Sequence, residues 1–433
     1  MIAGVTDMRM GIRTICLVLA VATAGCGGIA KGVTEALLEK SEADDTRACH
    51  IEGPPSEGLA VLLDRQADDR AGGASGRQLK ILMVHGIGHH LPGYSGRLTE
   101  HLMPALGLDV RDEDSKDFTL FSPRIGEDSL GHLRVNRFTD KAGTRELIFY
   151  ELTWSEITEA EKQAIAFDDS TEYTFRRTQL NSYMKKFFNS HIPDPLIYLG
   201  EAHDPIIASM QQAFCWMTIG DWEDYPGESE ATCDVFSSDR LQQFEEDGFV
   251  FITHSLGSRI VIDAVQELSV WAHQQTAPEF VAMRQVFQEK QMPVYMLANQ
   301  LPLLELGREP APIRGQIKDY CRPDGSKYSD RFFGGMPIYA FSDPNDMLSY
   351  PIPPKFADEY MDSRICPQFT NITLNVAAPV NLFGLSKVAN PLSAHVDYDH
   401  DERVIALMAH GLGHADQAPI VTERCTWLET RSE

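Results

Sequence analysis

Short apolar runs recur along the chain from residue 79, each bounded by glycine, proline or charged residues. Leu79 to Val84, Leu133 to Phe138, Leu147 to Leu152, Phe249 to Thr253, Pro293 to Ala298, Pro337 to Phe341 and Phe369 to Val376 have strand length. The run Phe249 to Thr253 is apolar or β-branched throughout, as a strand buried on both faces is. Immediately after it the period changes, and Gly257, Val261, Ala264, Val265 and Leu268 recur at the three- and four-residue spacing of a helix packed on a sheet. Leu133 to Phe138 and Leu147 to Leu152 are separated by Asp140-Lys141-Ala142-Gly143, a hairpin-like connection. From Trp154 to about Asp247 the pattern is helical with polar breaks. Within that interval Ile206 to Ile219 places Met210, Phe214, Cys215, Trp216 and Met217 on an apolar face. Such a face either covers an active site as a lid or packs a small core of its own. A last helix is expected from about Asp401 to His410.

The change of period leaves room only for a sharp turn between strand and helix, with Ser255 at its apex. A tight turn there pushes Oγ out of the sheet and gathers the following N–H groups near it, which is what a serine nucleophile needs. Leu79 to Val84 runs into His85-Gly86-Ile87-Gly88-His89-His90, where glycines after a strand let backbone amides turn toward a bound group. His89 and His90 lack a carboxylate at fixed spacing. They are read as residues that shape this loop by hydrogen bonding rather than as metal ligands.

Thr253-His254-Ser255-Leu256-Gly257 resembles the G-x-S-x-G nucleophile elbow of the α/β-hydrolase superfamily, with Thr253 standing where the first glycine is usual. His85-Gly86 resembles the oxyanion loop of lipases and esterases. The resemblance assigns Ile87 N–H, or else Gly86 N–H, as one oxyanion donor and Leu256 N–H as the other. Asn345-Asp346-Met347-Leu348, running on to Pro351-Ile352-Pro353-Pro354, resembles the acid loop of several lipases. Asp346 is therefore the first choice for the triad acid and Asp343 the alternative. His395, three residues before Tyr398 and ahead of the last helix, resembles the catalytic histidine of the superfamily. His400 is its possible substitute, and His410 on the helix is read as structural. Serine, aspartate, histidine in that chain order is the superfamily's arrangement. The resemblance spans residues 79 to 412. It implies an α/β fold with a mostly parallel central sheet, helices on both faces, and a helical insertion at about 155–247 acting as a possible lid. The implied activity is cleavage of a carboxylic ester through an acyl-enzyme, with no metal or organic cofactor. The alternative is a non-catalytic surface lipoprotein that keeps the scaffold for binding or assembly.

The 433 residues, 43% hydrophobic, are enough for one α/β core with insertions, and the net charge of -25 argues against nucleic acid or anionic partners. At the N-terminus Arg9 and Arg13 precede the apolar run Ile15 to Ala22, which closes on Thr23-Ala24-Gly25-Cys26. A positive segment, a short apolar stretch and small residues make an export signal too short to span a bilayer permanently. Its end resembles the bacterial lipobox. On that resemblance residues 1–25 are removed and Cys26 carries the lipid; the alternative is ordinary cleavage, leaving Cys26 as a plain cysteine. Gly27 after the cysteine points to the outer membrane of the bacterial envelope. Residues 26–76, polar and broken by Pro54-Pro55, read as a tether with a short helix around Thr34 to Ala43, ahead of a hydrolase domain at 77–433. Six further cysteines, Cys49, Cys215, Cys233, Cys321, Cys366 and Cys425, are an even number in an exported chain and read as disulfides. Cys215 with Cys233 is the most local pairing. No Cys-x-x-Cys pair favours a metal site.

Overall fold

The computed structural model describes residues 47–71, 78–122, 125–126, 128–218, 222–226, 230–233, 241–382, 386–413 and 417–428. Cys26, the export signal and the helix expected around Thr34 to Ala43 lie outside them. The strands of the large sheet are, in chain order, β1 (Cys49–Glu52), β2 (Leu79–Val84), β3 (Asp109–Leu120), β4 (His132–Thr139), β5 (Glu146–Thr153), β6 (Glu230–Ala231), β7 (Gly248–His254), β8 (Val294–Leu297), β9 (Met336–Ser342), β10 (Pro367–Leu374) and β11 (Cys425–Leu428). Their order across the sheet is β11-β1-β10-β9-β8-β7-β2-β5-β4-β3-β6.

From β10 to β5 every neighbouring pair is parallel, so the strands of this central block all end on one edge of the sheet. Antiparallel strands flank the block, β1 beside β10 on one side and β4 beside β5 on the other. The expected hairpin is thus the β4–β5 pair. Both faces of the block are buried, which explains the apolar runs. In β2, Ile81 and Met83 belong to one core and Leu82 and Val84 to the other; in β7, Val250 and Ile252 face opposite to Phe249 and Phe251. One core is completed by helices Gly257–Gln274 and His203–Met217, the other by Leu59–Ala71, Gly96–Ala105 and Glu402–His410. The molecule is an α/β protein with a large, mostly parallel sheet and helices on both faces.

Three expectations change. The tether does not reach residue 76: Cys49 and Ile51 alternate inward along β1, Cys49 is bonded to Cys425, and helix Leu59–Ala71 packs Leu59 and Leu63 on the core. Three buried hydrophobic side chains, Ile51, Leu59 and Leu63, and a disulfide outweigh the polar composition of this stretch. Second, helix His203–Met217 is a core layer rather than an outer cover, with the ring of Phe214 5.7 Å from that of Phe251 and Trp216 5.1 Å from Phe118. Third, the interval 155–247 is not wholly helical, because Glu230–Ala231 adds β6 to the sheet edge. Residues 160–194 of that interval belong to a different compact unit from the one that holds the large sheet. These residues include helix Gln179–His191, and Asp168 receives Arg177 at 3.0 Å and Lys185 at 3.7 Å.

The cysteines pair as Cys49–Cys425, Cys215–Cys233 and Cys321–Cys366. The expected local pair pins the end of helix His203–Met217 to the segment behind it. Gln212 reinforces that link, its amide donating to Cys233 O at 3.0 Å and accepting from Cys233 N–H at 2.7 Å. Replacing Cys215 and Cys233 together by alanine is expected to lower stability by about 3 kcal/mol, the chain-entropy value for a loop of this length, measured by urea denaturation of the oxidised protein.

Candidate active site

Strand β7 ends at His254 and helix Gly257–Gln274 begins three residues later. The chain manages the reversal by placing Ser255 at φ +54°, a left-handed conformation that costs a non-glycine residue roughly 1–3 kcal/mol. Surrounding bonds hold it there. Ser255 N–H donates to Leu297 O at 2.9 Å, and the Ser258 hydroxyl donates to Ser255 O at 2.7 Å. Two glycines let neighbouring backbone close in. A Cβ on Gly257 would strike the carbonyl oxygens of Val84 and His85, and one on Gly86 would lie 2.5 Å from Ser255 Cβ. Thr253, where the first glycine of the elbow pattern is expected, fits because it is still within the strand, paired with Val84 on one side and Met296 on the other.

Ser255, Asp346 and His395 come together across the ends of the parallel strands. His395 Nε2 lies 3.0 Å from Ser255 Oγ, and His395 Nδ1 lies 2.8 Å from Asp346 Oδ2. The acceptor-only carboxylate fixes the proton on Nδ1, which leaves Nε2 free to accept from the serine hydroxyl. Burial pushes the Asp346 carboxyl up. The hydrogen bond and charge of His395, with the Leu348 N–H at 2.9 Å, outweigh it and hold the group below its ordinary value. Asp346 stays ionised behind the imidazole.

Asp343, the alternative acid, has a different task. Its Oδ1 accepts from Asn345 N–H and Nδ2, at 2.7 and 2.9 Å, and its Oδ2 from the Val376 and Ala377 amides, at 2.8 and 3.2 Å. It ties the turn after β9 to the chain leaving β10. His400 is also elsewhere, between Asp399 and Arg97, each at 2.9 Å. His410 ends helix Glu402–His410.

The loop after β2 is locked from β5. Trp154 N–H donates to His85 Nε2 at 3.1 Å, and the Trp154 indole N–H donates to His85 O at 3.2 Å. The His85 ring stacks between His90 and Trp154, with centroids at 4.2 and 4.7 Å. His90 performs the shaping expected of it: its backbone N–H and C=O both meet the Ser155 hydroxyl, at 3.1 and 3.2 Å, and its Nε2 reaches Ile87 O at 3.2 Å. His89 is exposed. The buried Glu151 carboxylate accepts from Gly93 N–H and from the Ser95 N–H and hydroxyl, which fixes the next turn. Ile87 and Leu256, the two expected oxyanion donors, thus follow respectively Gly86, which abuts the serine, and the serine itself.

Several contributors had no signal in the sequence. After β8, Asn299 donates its amide N–H to Tyr350 O at 2.7 Å while Tyr350 N–H returns a bond to Asn299 O at 2.8 Å. Asn371 brackets Ile352 in the same way, at 2.8 and 2.9 Å. Two asparagines therefore clamp the loop that carries Asp346. His254 is the other. Its Nε2 lies 2.8 Å from His395 O, and its basicity is pushed down to about 3, first by burial and then by the charge of His395.

Comparison with known protein families, with curated proteins and with solved structures gives no match for this chain. The assignment of chemistry therefore rests on the site itself.

Two outcomes are expected. Gly86→Ala should cost about 1–3 kcal/mol by forcing a methyl against the elbow, read from denaturant midpoints. His254 is neutral in the folded chain down to about pH 3 but takes a proton near 6.5 when unfolded, so the unfolded state binds more protons between those values. Its share of stability is complete above 6.5 and is lost as pH falls toward 3. The melting temperature of His254→Gln should consequently fall less between pH 6.5 and 4 than that of the native chain, measured by thermal scans across that window.

Proposed function

We propose that the chain is a serine hydrolase of the α/β-hydrolase kind that cleaves carboxylic esters. The observation that carries this reading is the Ser255–His395–Asp346 relay, at 3.0 and 2.8 Å, on a serine held at positive φ between a central parallel strand and a helix. In the reaction His395 Nε2 takes the hydroxyl proton as Ser255 Oγ bonds to the ester carbonyl carbon. The oxyanion so formed is met by Ile87 N–H and Leu256 N–H, each worth about 3–4 kcal/mol in comparable sites. The tetrahedral intermediate collapses, its bond to the alcohol oxygen breaks, and His395 returns the proton to that leaving oxygen. Water then attacks the acyl-serine, gives its proton to His395, and frees the acid as Ser255 recovers its hydroxyl. Asp346 keeps the imidazole in one tautomer and stabilises its cationic form throughout.

The excess of carboxylates, with net charge -25, disfavours strongly anionic substrates, and a lipid or other lipophilic ester is compatible with it. Export as a lipoprotein belongs to the same proposal: acylation at Cys26 holds the protein to the bacterial envelope, at the outer membrane. Among the described residues no helix is long and apolar enough to cross a membrane, and anchoring by lipid needs none.

A second reading, a binding scaffold without turnover, draws on the full burial of Ser255 and on Thr253 in the elbow. A fluorophosphonate probe separates the two. Labelling of the native protein, abolished in Ser255→Ala, is expected; an unlabelled native protein would sink the hydrolase. Asp346→Asn should lower kcat on a short-chain ester by about 10⁴-fold by disturbing the tautomer. Cys26→Ser should move the protein from the membrane to the soluble fraction of the cell that makes it, checked by fractionation.

A further inference from the structure

Helix Pro391–Val396, which carries His395, is short, and it is fixed at its start by Asn390, whose side chain accepts from Leu392 N–H at 3.0 Å. The last carbonyls of a helix have no donor within it. The His395 carbonyl, one residue from the end, is such a group, and it points at the elbow. There the His254 ring supplies the missing donor: Nε2 is 2.8 Å from His395 O, and a carbonyl only accepts, so that nitrogen carries the proton. The two imidazoles meet edge to face with centroids 5.1 Å apart. Consecutive residues of the elbow therefore grip one histidine at both ends, Ser255 at the ring and His254 at the main chain.

Building on the hydrolase reading, we propose that His254 is a positioning residue, which by donating to the His395 carbonyl sets the height and tilt of the catalytic imidazole over Ser255. The arrangement suits a ring that becomes cationic during turnover. A charged His254 so close would oppose that cation, whereas a neutral one holds the backbone without adding charge. Burial keeps His254 neutral over the whole range in which a serine hydrolase works. A structural histidine would serve folding alone. A positioning one controls the distance between Nε2 and Oγ, and displacement by about 1 Å at such a place costs on the order of 100-fold in rate.

The test compares the full exported chain with His254→Leu, which removes the donor, and His254→Gln, whose terminal amide places an N–H near the position of Nε2. Hydrolysis of a short-chain p-nitrophenyl ester, fluorophosphonate labelling rate and thermal midpoint are measured for each. The leucine variant is expected to lose about 100-fold in kcat with KM unchanged, and to label correspondingly slowly. The glutamine variant should recover most of that loss. If the leucine variant does not fold, His254→Asn replaces it: its shorter amide stops short of the carbonyl and should behave as leucine does. Native kcat in the variant lacking the donor would overturn the proposal, and so would equal losses in the glutamine and donor-less variants. A native chain that neither labels nor hydrolyses defeats the hydrolase reading itself, and is thereby told apart from a failure of His254 alone.

Discussion

One backbone torsion organises the molecule. Ser255 is in a conformation that L-residues avoid, and it is retained because the elements on either side leave no alternative. The amide of the strained residue is taken up by the neighbouring strand at Leu297, its carbonyl by the Ser258 hydroxyl, and the two glycines that flank it allow backbone to close in where any side chain would collide. The strain is offset by the burial of β7 between two hydrophobic cores, which fixes where the strand ends, and therefore where the turn falls.

A turn so fixed has value only if the other groups arrive with comparable accuracy, and here each loop is secured by a polar side chain from a neighbouring element. Glu151 on β5 holds the turn at residues 93–95, Asn299 and Asn371 hold the acid loop, and Asp343 joins the ends of β9 and β10. Glu151, Asn299 and Asp343 are buried and matched, and the half-buried Asn371 is matched as well. A buried polar group with its partners in place tolerates one geometry, whereas apolar contacts tolerate several. Precision in the candidate site thus comes from hydrogen bonds laid on a scaffold whose stability comes from apolar burial.

Much of this arrangement was legible along the chain, for identifiable reasons. Strands buried on both faces must be almost wholly apolar, so β2, β5, β7 and β9 announced themselves within a residue or two. The elbow was visible because the hydrophobic period changes abruptly at Ser255. Strand β3 was missed: Arg-Asp-Glu-Asp-Ser-Lys-Asp occupies seven of its 12 residues, and a charged run beside the sheet edge carries none of the apolar pattern that betrays a central strand. The reach of the folded domain back to residue 47 was hidden because a four-residue strand held by a disulfide carries little hydrophobic signal. His254, Asn299 and Asn371 were not distinguishable from ordinary polar residues, since their roles depend on carbonyl groups brought near them by distant segments. The choice between Asp343 and Asp346 was likewise a matter of geometry, since both sit in the same turn and only one faces the imidazole.

The bond between Cys49 and Cys425 joins the first described strand to the last, and those strands are also parallel neighbours at one margin of the sheet. Tension applied to the chain ahead of Arg47 therefore enters at β1 and passes straight into the C-terminal segment through a covalent link. Three strands lie between that entry point and β7 in the sheet order. A pull on the leading end thus first meets the covalently joined pair of strands at the rim of the sheet, with three strands between that pair and the one that leads into Ser255.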